Sequence, residues 1–186
     1  MILNLPNRLT LLRLLLSPLC AASIVFPLGE GDLFWRILAA LLFAVASATD
    51  FADGYIARRE GIVTDFGKFM DPVADKILVL GSMLALLARY GENVLFTRIF
   101  MWAVFAVLLR ELVVTSLRML ASQKSGLVIA AAWAGKVKTV SQIACILILI
   151  LRGPCIPAYL CMGVMTAMTL YSGAEYLVGY WPILKE

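Results

Sequence analysis

The sequence contains no histidine among its 186 residues. Histidine is the side chain that most often transfers protons near neutral pH and ligates transition metals, so its absence excludes the usual histidine-based catalytic and metal sites. The four cysteines, Cys20, Cys145, Cys155 and Cys161, lie in or beside apolar stretches without the spacing of a metal-binding motif. Any catalytic proton transfer in this chain therefore has to use carboxylates, lysine, tyrosine or water.

Charged residues are also scarce. They account for 15% of the chain, whereas hydrophobic residues account for 62%, and the mean hydropathy is +0.94. Soluble domains carry about 25% charged residues, so this composition indicates that lipid surrounds the protein. The net charge of +4 suits contact with anionic headgroups of membrane lipids. We expect no nucleic-acid partner, because the basic residues do not form a soluble basic domain.

Long apolar stretches recur along the chain, each close to the roughly 20 residues needed to cross a hydrocarbon core. Six transmembrane helices are predicted, at residues 11–26, 33–49, 77–89, 97–121, 137–151 and 158–177. The third is short unless it begins near Asp71. We therefore predict an all-α integral membrane protein in which residues 1–186 form a single domain and residues 11–181 form a six-helix bundle.

The first residues of the chain predict a short interfacial helix at residues 1–10. Leu9, Leu12 and Leu16 share one helical face, as an amphipathic helix lying along the membrane surface requires. The same apolar stripe also suits a simple membrane anchor.

Lysine and arginine residues fall mainly on the side of the membrane that holds the N-terminus. Because basic residues are retained in the cytosol, we expect a multi-pass protein of the cytoplasmic (inner) membrane with both termini facing the cytosol. Residues 58–76 and 122–138 are the longer, more polar segments on that side, so we expect the active site there.

Four aspartates cluster at the cytosolic ends of predicted spans two and three: Asp50, Asp53, Asp71 and Asp75. Carboxylates at membrane depth are costly and usually mark a functional site. The members of each pair are three or four residues apart, so each pair lies on one face of its helix. Four neighbouring carboxylates repel one another unless cations lie between them, and oxygen-only ligands favour Mg²⁺ or Mn²⁺. We therefore predict a site for two divalent cations that holds a transferring phosphoryl group.

Small residues and one cation accompany the aspartates. Gly54 follows Asp53, and Ala57 lies about one turn further, so one side of this helix end carries little bulk. Arg58 supplies a planar cation suited to phosphate oxygens, and Gly67 provides a second small residue on the next helix. The set predicts a pocket for a nucleotide diphosphate, although each residue alone also suits helix capping or helix packing.

The aspartates and their small neighbours form one motif with fixed gaps. It reads Asp50-x2-Asp53-Gly54-x2-Ala57-Arg58-x8-Gly67-x3-Asp71-x3-Asp75. This motif resembles, without a departure, the signature of the CDP-alcohol phosphatidyltransferase family. Such enzymes transfer a phosphatidyl group from CDP-diacylglycerol to an alcohol and release CMP.

The resemblance implies a fold and residue roles beyond those that spacing predicts. It implies six transmembrane helices, a homodimer and a site open to the cytosolic leaflet. It also implies that all four aspartates serve the metal ions and that Asp75 deprotonates the acceptor hydroxyl. Because a carboxylate bound to metal is a weak base, deprotonation driven largely by the field of the metal ions is the alternative. By the same resemblance the CDP pocket is formed by Asp50, Gly54, Ala57, Arg58 and Gly67.

The acceptor is predicted from a second set of residues. Residues 4–13, 66–76, 110–112 and 135–139 are similar to one branch of the family, whose members use glycerol 3-phosphate. An acceptor that already bears a phosphate needs further cations. We predict that Arg118 and Lys136 bind this phosphate, with Arg110 and Lys138 as second candidates.

The positions of these four cations support the assignment without excluding a simpler role. The two arginines are eight residues apart, about two helical turns, so they point to the same side of the fourth span. The two lysines begin the fifth span nearby. Retention of positive charge in the cytosol would also explain the lysines.

Three alternatives to this function stay open from the sequence. A sibling enzyme would use inositol phosphate or serine as the acceptor. A cation transporter would use the aspartates to coordinate its ion, but such sites usually lie near the bilayer midplane within repeated, broken helices. A structural scaffold would leave the acidic cluster without a purpose.

Overall fold

The computed structural model describes residues 4–26, 32–60, 64–124 and 133–184. Within these ranges it describes the backbone alone for residues 51–60, 121–124 and 182–184 and for Pro6, Asp65 and Lys68. The described residues form six α-helices and no strand. The helices are α1 (Leu5–Val25), α2 (Asp32–Glu60), α3 (Asp65–Arg89), α4 (Val94–Lys124), α5 (Trp133–Arg152) and α6 (Ile156–Leu184).

Each predicted span corresponds to one helix, and the all-α prediction is confirmed. Four helices contain stretches long and apolar enough to cross a membrane, at Asn7–Val25, Asp32–Asp50, Val94–Leu120 and Trp133–Arg152. The remaining two, α3 and α6, have 25 and 29 residues, which at 1.5 Å per residue exceeds the thickness of a hydrocarbon core. The chain is therefore a membrane protein.

Two helices extend further into the polar segments than hydropathy predicts. Helix α2 continues to Glu60, so Asp50 and Asp53 lie within it. Helix α3 begins at Asp65 and not near residue 77, because the Thr64 side chain caps it by accepting a hydrogen bond from the Gly67 amide. Both aspartate pairs consequently lie on helices.

Residues 5–10 of the predicted interfacial helix form the first turns of α1, whereas residues 1–3 lie outside the described residues. Asn4 caps the helix, since its side chain accepts a hydrogen bond from the Asn7 amide at 3.1 Å. Helical structure then runs from Leu5 to Val25 without a break. No glycine or proline lies between residues 7 and 17 to end the helix there. The side chains of Asn7 and Thr10 are buried, so one face of this segment packs into the protein.

The helices divide into two compact units. The first comprises residues 1–92 and 146–153, and in it α1 packs along both α2 and α3. Its core includes Ile24, Phe43, Leu78 and Leu86, each no more than 2% exposed.

The second unit comprises residues 93–145 and 154–186, and in it α4 packs on α6. Phe96 and Phe100 stack there with ring centroids 5.0 Å apart. A buried cluster of Val114, Leu117, Tyr176 and Tyr180 joins the two helices further along.

Ion pairs join the helix ends in the first unit opposite the aspartates. Asp32 at the start of α2 pairs with Arg36 at 2.5 Å and with Arg89 at the end of α3. Arg89 also donates to the Ile24 carbonyl at 2.7 Å, in the last turn of α1, where carbonyls lack helical partners. This network fixes three helix ends relative to one another.

Candidate functional site

The acidic motif lies on α2 and α3, and α1 connects the two. Asp50 and Asp53 lie in the second half of α2, and Asp71 and Asp75 lie near the start of α3. Each of these helices packs mainly on α1. The surroundings of the carboxylates are therefore set largely by α1.

Asp50 is held by a buried arginine of α1. The Arg13 Nη1 atom donates to the Asp50 Oδ1 atom at 2.5 Å. The Arg13 side chain is fully buried, whereas that of Asp50 is 44% exposed. A buried cation needs a paired anion because charge is costly to remove from water. The pair thus fixes one side of Asp50 while the carboxylate reaches solvent.

Asp71 is held by a hydroxyl group of the same helix. The Thr10 Oγ1 atom donates to the Asp71 Oδ1 atom at 2.6 Å, and Thr10 is only 1% exposed. One turn earlier, Asn7 Oδ1 accepts a hydrogen bond from Thr64 Oγ1 at 2.9 Å. Helix α1 therefore contacts both the N-cap of α3 and the first motif aspartate on that helix, Asp71.

Gly67 lies where α1 and α3 approach closely. A Cβ atom added there would lie 3.2 Å from Asn7 Oδ1, 3.3 Å from Thr64 Oγ1 and 3.7 Å from Asp71 Oδ2. The first two distances are short for carbon against oxygen atoms that are already hydrogen-bonded to each other. Helix packing thus favours glycine here, because a larger residue would require Asn7 or Thr64 to shift, whether or not the glycine also contacts a nucleotide.

The donor chemistry of the motif suits a divalent cation. Among the side chains that the structure describes, no three His, Cys, Asp or Glu residues gather closely enough to hold a metal ion. The fourth predicted ligand, Asp53, lies outside those side chains. Asp50, Asp71 and Asp75 offer oxygen ligands of the type that Mg²⁺ and Mn²⁺ prefer. The two-metal site stays a prediction, and the chemistry of these residues is compatible with it.

The other predicted nucleotide contacts lie on the last turns of α2. The backbone of Gly54, Ala57 and Arg58 is helical, and their side-chain contacts lie outside the described residues.

The predicted acceptor residues belong to the second unit, where Arg110 forms the centre of a polar cluster. Its Nη1 atom pairs with Glu111 Oε1 at 2.9 Å, and its Nε atom donates to Ser172 Oγ at 3.3 Å. A Cβ atom added at Gly173 would lie 3.3 Å from the Arg110 Cγ atom. The glycine lets the arginine stem lie against α6.

Arg118 and Arg110 both contact Tyr176 of α6. The guanidinium carbons lie 5.1 Å and 5.4 Å from the centre of the Tyr176 ring. Arg118 Nη2 also donates to the Tyr176 hydroxyl at 2.6 Å. Since Tyr176 is only 4% exposed, it holds the exposed Arg118 side chain from a buried position.

The two lysines differ in their surroundings. Lys138 is 6% exposed, and its Nζ atom pairs with Glu111 Oε1 at 2.7 Å. Lys136 is exposed. One carboxylate oxygen thus serves both Arg110 and Lys138, whereas Arg118 and Lys136 present their side chains at the surface.

Several residues of these two clusters were not predicted as site residues. On α1, Asn7, Thr10 and Arg13 are three residues apart, and a polar face within an apolar helix is a signal that could have identified them. Tyr176 and Ser172 lie in a generic apolar stretch. No local sequence feature indicates that they contact α4.

Comparisons with known proteins identify relatives of this chain. The sequence model described as CDP-alcohol phosphatidyltransferase matches residues 3–174. The CDP-diacylglycerol--glycerol-3-phosphate 3-phosphatidyltransferase of Bacillus subtilis (strain 168) is 36% identical over 98% of this chain and 97% of its own length. The enzyme of the same name from Pseudomonas fluorescens is 34% identical over 98% and 92%. A probable phosphatidylglycerophosphate synthase of Mycobacterium tuberculosis (strain ATCC 25618 / H37Rv) is 37% identical over 94% and 80%.

The contacts of Gly67 predict the effect of a single added methyl group. Gly67→Ala should lower the melting temperature of the purified protein, since the Asn7 and Thr64 side chains would have to shift away from the added Cβ atom. Gly81→Ala on the same helix is the matched control, because a Cβ atom there meets nothing within 4 Å. That variant should melt at or above the wild-type temperature, since alanine favours helix by about 1 kcal/mol over glycine. Equal melting temperatures for the two variants would contradict the packing role of Gly67.

Proposed function

Because the chain belongs to the CDP-alcohol phosphatidyltransferase family, we propose that it transfers the phosphatidyl group of CDP-diacylglycerol to sn-glycerol 3-phosphate. The products would be phosphatidylglycerophosphate and CMP. The observation that carries this choice of acceptor is the full-length similarity to relatives named for glycerol 3-phosphate. The sibling acceptors, inositol phosphate and serine, are not favoured by these relatives.

Enzymes of this family generally depend on divalent metal ions. We propose that two ions, Mg²⁺ or Mn²⁺, are held by Asp50, Asp53, Asp71 and Asp75. When bound, they would neutralise the diphosphate of the donor and the charge that develops on departing CMP. The partly exposed carboxylate of Asp50 and its fixed partner Arg13 support this assignment.

The donor nucleotide is proposed to bind beside the aspartates. Asp50, Gly54, Ala57, Arg58 and Gly67 would form the CDP pocket, in which the glycines and the alanine admit the nucleotide and Arg58 pairs with the diphosphate. All five residues lie on the last turns of α2 or the first turn of α3.

The reaction is proposed to be a single displacement. The primary hydroxyl of glycerol 3-phosphate attacks the β-phosphorus of CDP-diacylglycerol, the new oxygen–phosphorus bond forms, and the bond to CMP breaks. The hydroxyl proton passes to Asp75, one turn beyond Asp71 on α3. In a chain without histidine, a carboxylate is the natural group to accept this proton.

The phosphate of the acceptor is proposed to bind the exposed cations of the second unit. Arg118 and Lys136 are the first candidates because both are exposed and Tyr176 holds the guanidinium of Arg118. Arg110 and Lys138 are second candidates, since each already pairs with Glu111. They would add positive potential near the phosphate without having to leave the carboxylate.

We further propose that the protein is a homodimer in the cytoplasmic membrane, with its active site and both termini on the cytosolic side. The distribution of lysine and arginine supports the orientation. Both substrates carry charged phosphates, so a site at the cytosolic surface would receive the acceptor from water and the donor from the leaflet.

An acceptor screen tests the proposed function. Purified protein with CDP-diacylglycerol and Mg²⁺ should release CMP when glycerol 3-phosphate is added, and a chelator should abolish the release. Inositol phosphate and serine should support at most a small fraction of this rate. Equal or faster release with either of them would assign the protein to a sibling activity, and no release with any alcohol would contradict the enzyme function.

Replacement of the proposed base tests the single displacement. Asp75→Asn should lower kcat by about 10²–10⁴-fold, the range for loss of a general base, and change donor binding much less. Glu92→Gln, which alters an exposed carboxylate in the turn after α3, is the control and should retain wild-type turnover. Asp75→Asn turnover within a few-fold of wild type would contradict this role.

Arg118 tests the acceptor site. A charged hydrogen bond is worth about 1.5–3 kcal/mol, so Arg118→Ala should raise the KM for glycerol 3-phosphate by roughly 10–100-fold with little change in donor KM. Tyr176→Phe removes the hydroxyl that accepts from Arg118 and should raise the acceptor KM less. Arg98→Ala, at an exposed position near the start of the same helix, is the control. Unchanged acceptor KM in Arg118→Ala would exclude Arg118 from the site.

A further inference from the structure

Helix α1 presents its polar side chains to the protein interior and its leucines outward. Asn7, Thr10, Arg13 and Ser17 are all at most 4% exposed, and their spacing of three or four residues places them on one face. In contrast, Leu5, Leu12, Leu15 and Leu19 are between 42% and 67% exposed. This arrangement is expected of a helix in lipid, where polar side chains point into the bundle and pair with other groups.

Two members of this polar face contact the acidic motif on two different helices. Arg13 donates to Asp50 of α2 at 2.5 Å, and Thr10 donates to Asp71 of α3 at 2.6 Å. The partners are 37 and 61 residues apart in sequence. One helix face thus orients one aspartate from each pair.

We propose that Arg13 and Thr10 are positioning residues for the metal-binding carboxylates, with Arg13 orienting Asp50 and Thr10 orienting Asp71. This proposal rests on the proposed function, since it takes those aspartates as metal ligands. A donor that holds one carboxylate oxygen fixes the direction of the whole group. Loss of such a partner typically weakens metal binding by about 10–100-fold.

The chemistry of each residue suits its position. Arg13 is fully buried, and its guanidinium offers a positive charge beside Asp50 that offsets repulsion among the aspartates. Lysine would keep the charge but lose the planar set of donors. The Thr10 hydroxyl is a neutral donor to Asp71. Serine at position 10 would keep this hydroxyl, whereas valine would remove it.

The experiment measures metal binding directly, without substrate. Purified variants in detergent are titrated with Mn²⁺, free Mn²⁺ is followed by electron paramagnetic resonance, and the melting temperature is recorded without metal. Thr10→Val should weaken Mn²⁺ binding by about 10–100-fold, and Thr10→Ser should restore it to within a few-fold. Arg13→Gln should weaken binding at least as much, with Arg13→Lys between Gln and wild type.

Ser23→Ala is the matched control. Ser23 is also buried on α1, and its hydroxyl donates to the Leu19 carbonyl of its own helix at 2.8 Å. This variant should bind Mn²⁺ as the wild type does. If Thr10 served packing alone, Thr10→Val would lower the melting temperature without a change in Mn²⁺ affinity. Thr10→Ser would then have no loss of affinity to restore.

The outcomes separate this proposal from the proposed function. Wild-type Mn²⁺ affinity in Thr10→Val overturns the positioning role even where CMP release with glycerol 3-phosphate is intact. Weakened affinity that Thr10→Ser restores supports it even where the acceptor proves to be another alcohol. If Arg13→Gln does not fold, the Thr10 pair of variants decides, and a wild type that binds no Mn²⁺ overturns both proposals.

Discussion

The buried polar face of α1 contacts aspartates of α2 and α3, and the rest of the first unit depends on these contacts. A fully buried arginine within a membrane helix requires an anion, and Asp50 supplies it at 2.5 Å. This pairing fixes which face of α1 points inward, and the bonds of Thr10 and Asn7 to α3 follow from the same orientation. Gly67 then follows from the close approach of the two helices.

Pairing of buried cations with a carboxylate also organises the polar cluster of the second unit. Arg110 and Lys138 share one oxygen of Glu111, so two cations on neighbouring membrane helices are balanced by a single carboxylate. The remaining positive charge suits a ligand that carries phosphate. Each unit also presents a charged side chain at its surface, Asp50 in one and Arg118 in the other. The aspartates suit cations, and the arginine suits an anionic acceptor.

Much of this arrangement could be predicted from the sequence. The six helices follow from apolar stretches of the length that a bilayer requires, and the fixed gaps of the aspartate motif identify the family. The start of α3 could not be predicted from hydropathy, since charged residues and Pro72 interrupt the apolar pattern before residue 77. The continuity of residues 5–10 with the rest of α1 could not be predicted either, because amphipathicity does not reveal whether a polar face meets water or protein.

Pairs of contacting residues that are far apart in the sequence could not be predicted either. Arg13 and Asp50 are 37 residues apart, and Arg118 and Tyr176 are 58 residues apart, so no local pattern links them. Such pairs depend on how helices pack, whereas hydropathy and motif gaps report only on single helices. Arg13 nevertheless carried a signal, because an arginine inside an apolar helix needs a partner.

The aspartates of α2 and α3 are proposed to hold one pair of metal ions. Electron paramagnetic resonance of the purified protein loaded with Mn²⁺ tests it most directly. Two ions per chain with the multiline spectrum of a magnetically coupled pair are predicted, since ions in such sites lie about 3.5–4 Å apart. A single bound ion, or two ions without coupling, would contradict the account.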